Sequence, residues 1–293
     1  MKPKCKIILL ISSIFFFLVC VLLFSGSFFL YKVISAAQGT EMSYFQTMSA
    51  LATKNADGVA ERKLKESSLL EEHRHVSIYY SENFSEFVPS TIETLDLAIA
   101  KNEEIFGQFD EVPIDLMVFD DKEQFMDFSG LTDVEGAYSD FDKVLAIHYS
   151  DEPLMDERDK SEFQKLLLHE YNHYAFNRKS QDQAAYPMWF IEGVAEYAAV
   201  DPDDVYFPNF ESIPFSDLNS PEQWQAAREV PTADAYLQSY YALEFLTSTL
   251  GQGVIKEIME SVDETRDFEE SLKIVTGLET DELDRDYLNV YLK

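Results

Sequence analysis

Apolar positions along this chain of 293 residues fall into three patterns, and each predicts a different kind of segment. The first is an unbroken run: Ile7 to Tyr31 is 25 consecutive residues without a charge, dominated by Ile, Leu, Phe and Val. At about 1.5 Å per residue a helix of that length reaches roughly 37 Å, enough to cross a hydrocarbon core of about 30 Å with some tilt. The second pattern is one of short strand-like stretches, of which the first alternates. "VSIYY" (Val76 to Tyr80), "PIDLMVF" (Pro113 to Phe119) and "VLAIHYS" (Val144 to Ser150) predict three strands, with Gly130 and Gly136 bracketing a turn before the last. The third has helical spacing. It begins between the first two strands, where Ser85 to Phe109 carries Phe87, Ile92, Leu95, Ile99 and Ile105 on one face.

From Glu157 onward helices dominate: Lys160–Asn177, Met188–Ala199, Ser216–Arg228, Ala233–Leu250, Val254–Ser261 and two short ones at the end. Residues 38–72 are polar and lack a strong strand pattern, and the stretch beginning "ADGVAERKLKESS" at Ala56 predicts a short helical stalk. The expected architecture is therefore α+β: a small mixed sheet in the N-terminal half and then a helical half, preceded by one transmembrane helix. The expected division is an anchor or signal segment over 1–37, a stalk over 38–72 and a folded domain over 73–293.

Charge adds a topology. Lys2, Lys4 and Lys6 precede the apolar run and only Lys32 closely follows it, so the positive-inside bias puts the N-terminus in the cytoplasm and the domain outside the cell membrane. The alternative is secretion after cleavage near Ala37, since Ser35 and Ala37 are small residues at signal-peptidase spacing. The run exceeds the 7 to 15 residues of a signal core, which favours the anchor. Both cysteines, Cys5 and Cys20, lie in this segment, so the exported part must be held by an ordinary core without disulfides. All 54 acidic residues lie from Glu41 onward, against 19 basic ones (23 less Lys2, Lys4, Lys6 and Lys32). Such an excess repels nucleic acid and anionic headgroups, which excludes a nucleic-acid partner.

Candidate chemistry begins in "LLLHEYNHYAF" at Leu167. His169, Glu170 and His173 spell HExxH, and residues four apart share a helix face, so two imidazoles can converge on one ion. Glu170 lies about 100° around the helix from His169, near a metal-bound water without being a ligand. A pattern of five residues arises by chance often enough that a third ligand is needed. The next helix, "MWFIEGVAEYAA", supplies Glu192 and, one turn later, Glu196 on a mostly apolar segment, where a carboxylate needs a strong partner. Two His and one Glu with a fourth position open to water form a catalytic zinc set, and Glu196 would accept the other ring N–H of a ligand histidine.

"HEYNH", then 18 residues, then "EGVAEY" resembles the gluzincin metallopeptidases, and "WFIEGVAEY" resembles the W-x-x-E-G-x-A-E-Y segment of bacterial peptidase MA-like domains. The resemblance is specific over residues 165–200. It implies that Glu192 is the third ligand of a single zinc ion. It also implies that Glu170 takes a proton as zinc-bound water attacks a peptide carbonyl and then delivers it to the leaving amine. Related enzymes take a further oxyanion donor from a later helix, where "AYLQSYYALEF" offers Tyr240 first and Tyr236 second. They bind extended substrate along an edge strand ahead of the zinc helix, for which "GAYSDFDKVLAIHYS" is the counterpart by chain order. No counterpart of the aminopeptidase G-x-M-E-N motif is present, which implies an endopeptidase-like enzyme acting on peptide or protein substrates. The competing class is a catalytically silent zinc-fold sensor or adhesion module at the cell surface; Glu170 argues against it, because holding zinc does not require a base.

Other features carry blander expectations. His73 and His75 form H-R-H at a solvated strand start, and His148 is a lone strand histidine. "DPDD" at Asp201 to Asp204 reads as a helix stop rather than a calcium loop, and "QWQAAREV" with the aromatic residues of 206–215 reads as ordinary packing rather than a lid.

Overall fold

The computed structural model describes residues 16–17, 19, 21–32, 43–45, 47–48, 59–132, 134–140, 142–149, 157–200 and 210–291. The chain divides into two units, one of residues 1–68 with 141–143 and one of residues 69–140 with 144–293.

In the first unit, residues 21–32 are helical, and the Tyr44 ring lies 5.6 Å from Phe24, 6.0 Å from Phe28 and 5.8 Å from Tyr31. Helix α1 (Val59–Ser67) carries an i,i+4 pair, Glu61 with Lys65 at 2.8 Å. Among the described residues no helix is long and apolar enough to cross a membrane. Much of the expected span (residues 7–15, 18 and 20), both cysteines, and Ser35 and Ala37 lie outside the described residues.

The second unit is a sheet of five strands followed by a mostly helical half, the α+β arrangement the patterns predict. Strands β1 (Leu69–His73), β2 (Val76–Tyr80), β3 (Ile114–Phe119), β4 (Gly136–Ser139) and β5 (Val144–His148) lie in the order β1-β2-β3-β5-β4. The two hairpins β1/β2 and β4/β5 are antiparallel, whereas β2/β3 and β3/β5 are parallel, so the sheet is mixed. β1 takes its first four residues, 69–72, from the stretch that the polar pattern assigns to the stalk. It is an edge strand exposed along both faces, so it never alternates. β4, the opposite edge, begins at Gly136, where the glycine spacing reads as the end of a turn.

Helix α2 (Val88–Phe106) joins β2 to β3, with Pro89 in its first turn and Gly107 (φ 73°) closing it. Helix α3 (Lys122–Ser129) is capped by the Asp121 carboxylate, which accepts from the Glu123 and Gln124 amides. Helix α4 (Glu157–Lys179) carries the HExxH residues and packs on α2 and along β4 and β5. It is pinned on its inner side: Asn172 Nδ2 donates to Asn102 Oδ1 at 2.8 Å, Tyr171 OH meets His75 Nε2 at 3.0 Å, and Tyr174 OH donates to Val112 O at 2.9 Å. Those bonds fix which face of α4 turns outward.

Helix α5 (Met188–Ala199) is buried nearly all round, as its composition requires. It is followed by α6 (Pro221–Arg228), α7 (Ala235–Leu250), α8 (Val254–Thr265), α9 (Phe268–Thr276) and α10 (Thr280–Tyr291). The predicted helix Ser216–Arg228 is in fact a short 3-10 turn, Phe215–Asp217, and then α6, because Ser220 and Gln223 form a capping box with Pro221 in the first turn. α5 and α7 cross closely at Gly193, where an added Cβ would meet Leu243 Cδ2 at 2.6 Å and the Ser239 backbone oxygen at 3.0 Å. Gly193→Ala is expected to destabilise the protein: overpacking costs about 1–3 kcal/mol, and the gain in helix propensity offsets only about 1 of that. Denaturant melts read the difference, and an unchanged midpoint would show that the crossing relaxes at no cost.

Candidate metal centre and cleft

α4 and α5 bring His169, His173 and Glu192 together, the one group among the described residues with three ligand atoms converging. His169 Nε2 lies 3.1 Å from His173 Nε2 and 3.3 Å from Glu192 Oε2, and His173 Nε2 lies 3.6 Å from the same oxygen. A tetrahedral ion with bonds of about 2.0–2.1 Å needs donor atoms roughly 3.3–3.4 Å apart, so this triangle fits one such ion. The donor set fits too: two imidazole nitrogens and one carboxylate suit a borderline divalent metal and do not suit calcium, which takes six to eight oxygens.

Behind the triangle, His169 Nδ1 lies 3.0 Å from Glu196 Oε1. A neutral His169 donating Nδ1–H to that carboxylate presents its Nε2 lone pair toward the other two ligand atoms. The other Glu196 oxygen lies 3.0 Å from Lys165 Nζ, one turn before His169 on α4. Sequence reasoning passed over Lys165; the signal available was its i,i+4 spacing to His169.

The group is largely buried: His169 is 7%, Glu170 6%, Glu192 9% and Glu196 8% exposed. In the metal-free protein burial disfavours a charged His169, but hydrogen bonds and charge from Glu192 and Glu196 outweigh it and raise its pKa well above that of an ordinary histidine. Burial likewise opposes ionisation of Glu192, yet His173 and His169 hold its carboxyl well below the ordinary carboxylate range. Glu170 differs. Burial pushes its carboxyl up, His169 and His173 act against the rise, and Glu192 and Glu196 add to it. Of two neighbouring glutamates, one is therefore held as an anion and the other has its affinity for a proton increased.

The site opens onto a cleft of about 1470 Å³, lined among others by β4 (Gly136, Ala137, Tyr138) and by Trp224, Arg228 and Tyr236. The structure separates the two candidate tyrosines. Tyr236 lines the cleft with its ring centroid 6.0 Å from that of His169. Tyr240, one turn along α7, instead lines a smaller cavity of about 280 Å³ with Lys101, Tyr197 and Gln252. They share a helix face, but a turn of α7 carries Tyr240 past the site. Trp224 stands edge-on to Tyr236 at 5.0 Å and the Arg228 guanidinium lies 5.8 Å from its ring, so "QWQAAREV" buttresses the tyrosine. Burial, with Glu192 adding and Arg228 and the Trp224 side chain opposing, pushes the Tyr236 phenol up to about 12, so it keeps its proton at neutral pH.

The remaining histidines lie away from the triangle. His73 Nε2 lies 3.0 Å from Asp96, His75 Nδ1 lies 3.1 Å from Glu111, and His148 Nδ1 stands 4.0 Å from Glu135, beyond hydrogen-bond distance. Asp201 to Asp204 and residues 206–209 lie outside the described residues.

No family model matches the chain. Over 250 residues it is 30% identical to the uncharacterized protein YhcO of Bacillus subtilis (strain 168), a match that takes in 81% of this chain and 76% of that protein. Among solved structures it is similar to Legionella pneumophila aminopeptidase A in complex with aspartic acid, with a TM-score of 0.51 and 15% identity over 74% of this chain. The matched region is 26% of that chain, so this protein corresponds to about a quarter of the aminopeptidase, and the likeness is one of fold.

Proposed function

From the premise that the chain belongs to the family of the Bacillus subtilis protein YhcO, we propose that it is a zinc-dependent peptidase of the gluzincin kind, cutting within peptides rather than trimming their amino termini. The observation that carries the reading is the triangle of His169 Nε2, His173 Nε2 and Glu192 Oε2 with a buried, non-ligating Glu170 beside it and a cleft in front. A purely structural metal site does not need that non-ligating carboxylate.

When bound, a zinc ion would supply Lewis-acid polarisation of the scissile carbonyl and an acidified water. Everything else falls to the chain. The backbone of β4, an edge strand along the cleft, offers donors and acceptors to an extended peptide by strand addition. Glu170 takes the proton of the attacking water and returns it to the leaving amine, a role suited to a carboxylate whose proton affinity burial has increased. Tyr236, protonated and braced by Trp224 and Arg228, donates a hydrogen bond to the developing oxyanion. Glu196 holds the His169 ring, and Lys165 holds Glu196.

Incubation with a peptide library tests the reading. Cleavage at internal bonds, abolished by a chelator and restored by zinc, is expected; a zinc-loaded protein that cuts nothing would turn the reading into that of a silent binding module. Tyr236→Phe should lower kcat by about 10²- to 10³-fold with metal content unchanged, the usual cost of losing one oxyanion donor. A greater loss from Tyr240→Phe would restore Tyr240 as the donor. The charge-free run of Ile7 to Tyr31 and its flanking lysines support placing this activity outside the cell on a membrane anchor. Recovery of the full-length protein in the soluble fraction would remove the anchor from the proposal.

A further inference from the structure

β4 has only four residues, and one of them is a glycine that its backbone conformation does not require. Gly136 is absent from the positive-φ glycines, which are Gly107, Gly130, Gly251 and Gly277. An L-residue could adopt its geometry, and glycine weakens a strand. The reason lies in space: a Cβ built on Gly136 would stand 2.5 Å from Glu170 Oε1, 2.7 Å from Leu166 Cδ1 and 2.9 Å from Glu170 Cγ.

We infer that Gly136 is a positioning residue: the side-chain-free backbone of the edge strand makes the recess in which the Glu170 carboxylate stands and so sets where the base meets its substrate. The inference rests on the reading of Glu170 as the base. Its force comes from what can move. β4 cannot back away, because Gly136 pairs with Ile147 of β5 and the His148 amide donates to Glu135 O at 2.8 Å. The other end of the strand is tied to α4, since Asp140 accepts from Arg178 Nη2 and from Tyr138 OH. The backbone at Glu170 cannot retreat either, because Tyr171, Asn172 and Tyr174 pin α4 from behind. Only the ends of two side chains, Leu166 and Glu170, are left to give way. Leu166 is half-buried and can rotate, so the carboxylate is what the new methyl group displaces. The change is therefore small for the fold and large for the reaction, where a misplacement of about 1 Å costs on the order of 10²-fold.

The test is Gly136→Ala in the full chain, alone and combined with Glu170→Asp, whose carboxylate is one methylene shorter. Gly136→Ala is expected to lower kcat about 10²-fold with little change in KM, one equivalent of metal retained and a melting midpoint within about 3 °C of wild type. Added to Glu170→Asp, it should cost less than about threefold more, because the clashing group has withdrawn. If Gly136→Ala cleaves as wild type while Glu170→Gln is inactive, the positioning role falls and the base survives. If Glu170→Gln is itself active, the reading beneath both falls. Should Gly136→Ala fail to fold, the double variant decides: recovery of folding identifies Glu170 as the obstructed group, and continued failure overturns the inference.

Discussion

Replacing Glu170 by Gln is expected to lower kcat/KM for peptide cleavage by about 10²- to 10⁴-fold, the contribution of a positioned general base, with one equivalent of metal still bound. The substitution keeps the shape of a side chain that is 6% exposed and removes only its ability to take a proton. Glu170 is not among the converging ligand atoms, so metal content should not change. Nor should the fold suffer, because a neutral amide replaces a carboxyl whose ionisation burial already opposes. The prediction thus separates chemistry from binding and folding in a single variant. Cleavage at the wild-type rate would show that another group accepts the proton; loss of metal together with activity would show that Glu170 is a ligand and that the triangle is misread.

Much of this could be read along the chain, because helical spacing is a local property. His169 and His173 share a face by arithmetic alone, and Glu192 and Glu196 stand out because a buried apolar helix has no other use for two carboxylates one turn apart. The central strands were equally legible: β3 and β5 are apolar on both sides and read as runs. The edge strands were not. β1, "LLEEH", shows four exposed residues in a row, and β4, "GAYS", is too short to establish a period of two. α3 did carry signals that the pattern reading passed over, an Asp121 cap and Gly130 in the left-handed conformation at its end.

Within the site, what stayed hidden depends on how helices cross. Tyr236 and Tyr240 are indistinguishable by phase, and only the placement of α7 beside α5 sets the first against His169 and the second against Tyr197. Lys165, Trp224 and Gly136 owe their significance to partners distant in sequence, respectively Glu196, Tyr236 and Glu170. A glycine needed for space leaves no trace in a hydropathy pattern.

Glu192→Ala should remove the metal at concentrations that saturate the wild type, whereas Glu196→Gln should weaken affinity only about 10- to 100-fold, the range for a group that orients a ligand from behind. The order follows from geometry. Glu192 Oε2 is one corner of the triangle, at 3.3 and 3.6 Å from the imidazole nitrogens, while Glu196 meets His169 at its far nitrogen, away from the triangle. Full occupancy in Glu192→Ala would sink the ligand assignment. The same cluster dictates the pH dependence. In the metal-free protein Glu192 and Glu196 raise the pKa of His169, so binding must displace a proton. Affinity should therefore rise with pH, by roughly tenfold per unit while one proton is released. Stability runs the other way for the empty site. A raised histidine pKa contributes stability that is complete below the unfolded value and is lost as pH rises through the folded one; the lowered pKa values of Glu192 and Glu196 contribute above their unfolded values and fail as pH falls. On the alkaline side Glu196 keeps Lys165 but Glu192 stays buried beside a neutral His169, and there a bound ion should raise the melting midpoint most. Melting curves with and without metal across that range, together with chelator competition, measure both effects; an affinity independent of pH would mean that His169 is not the group the ion displaces a proton from.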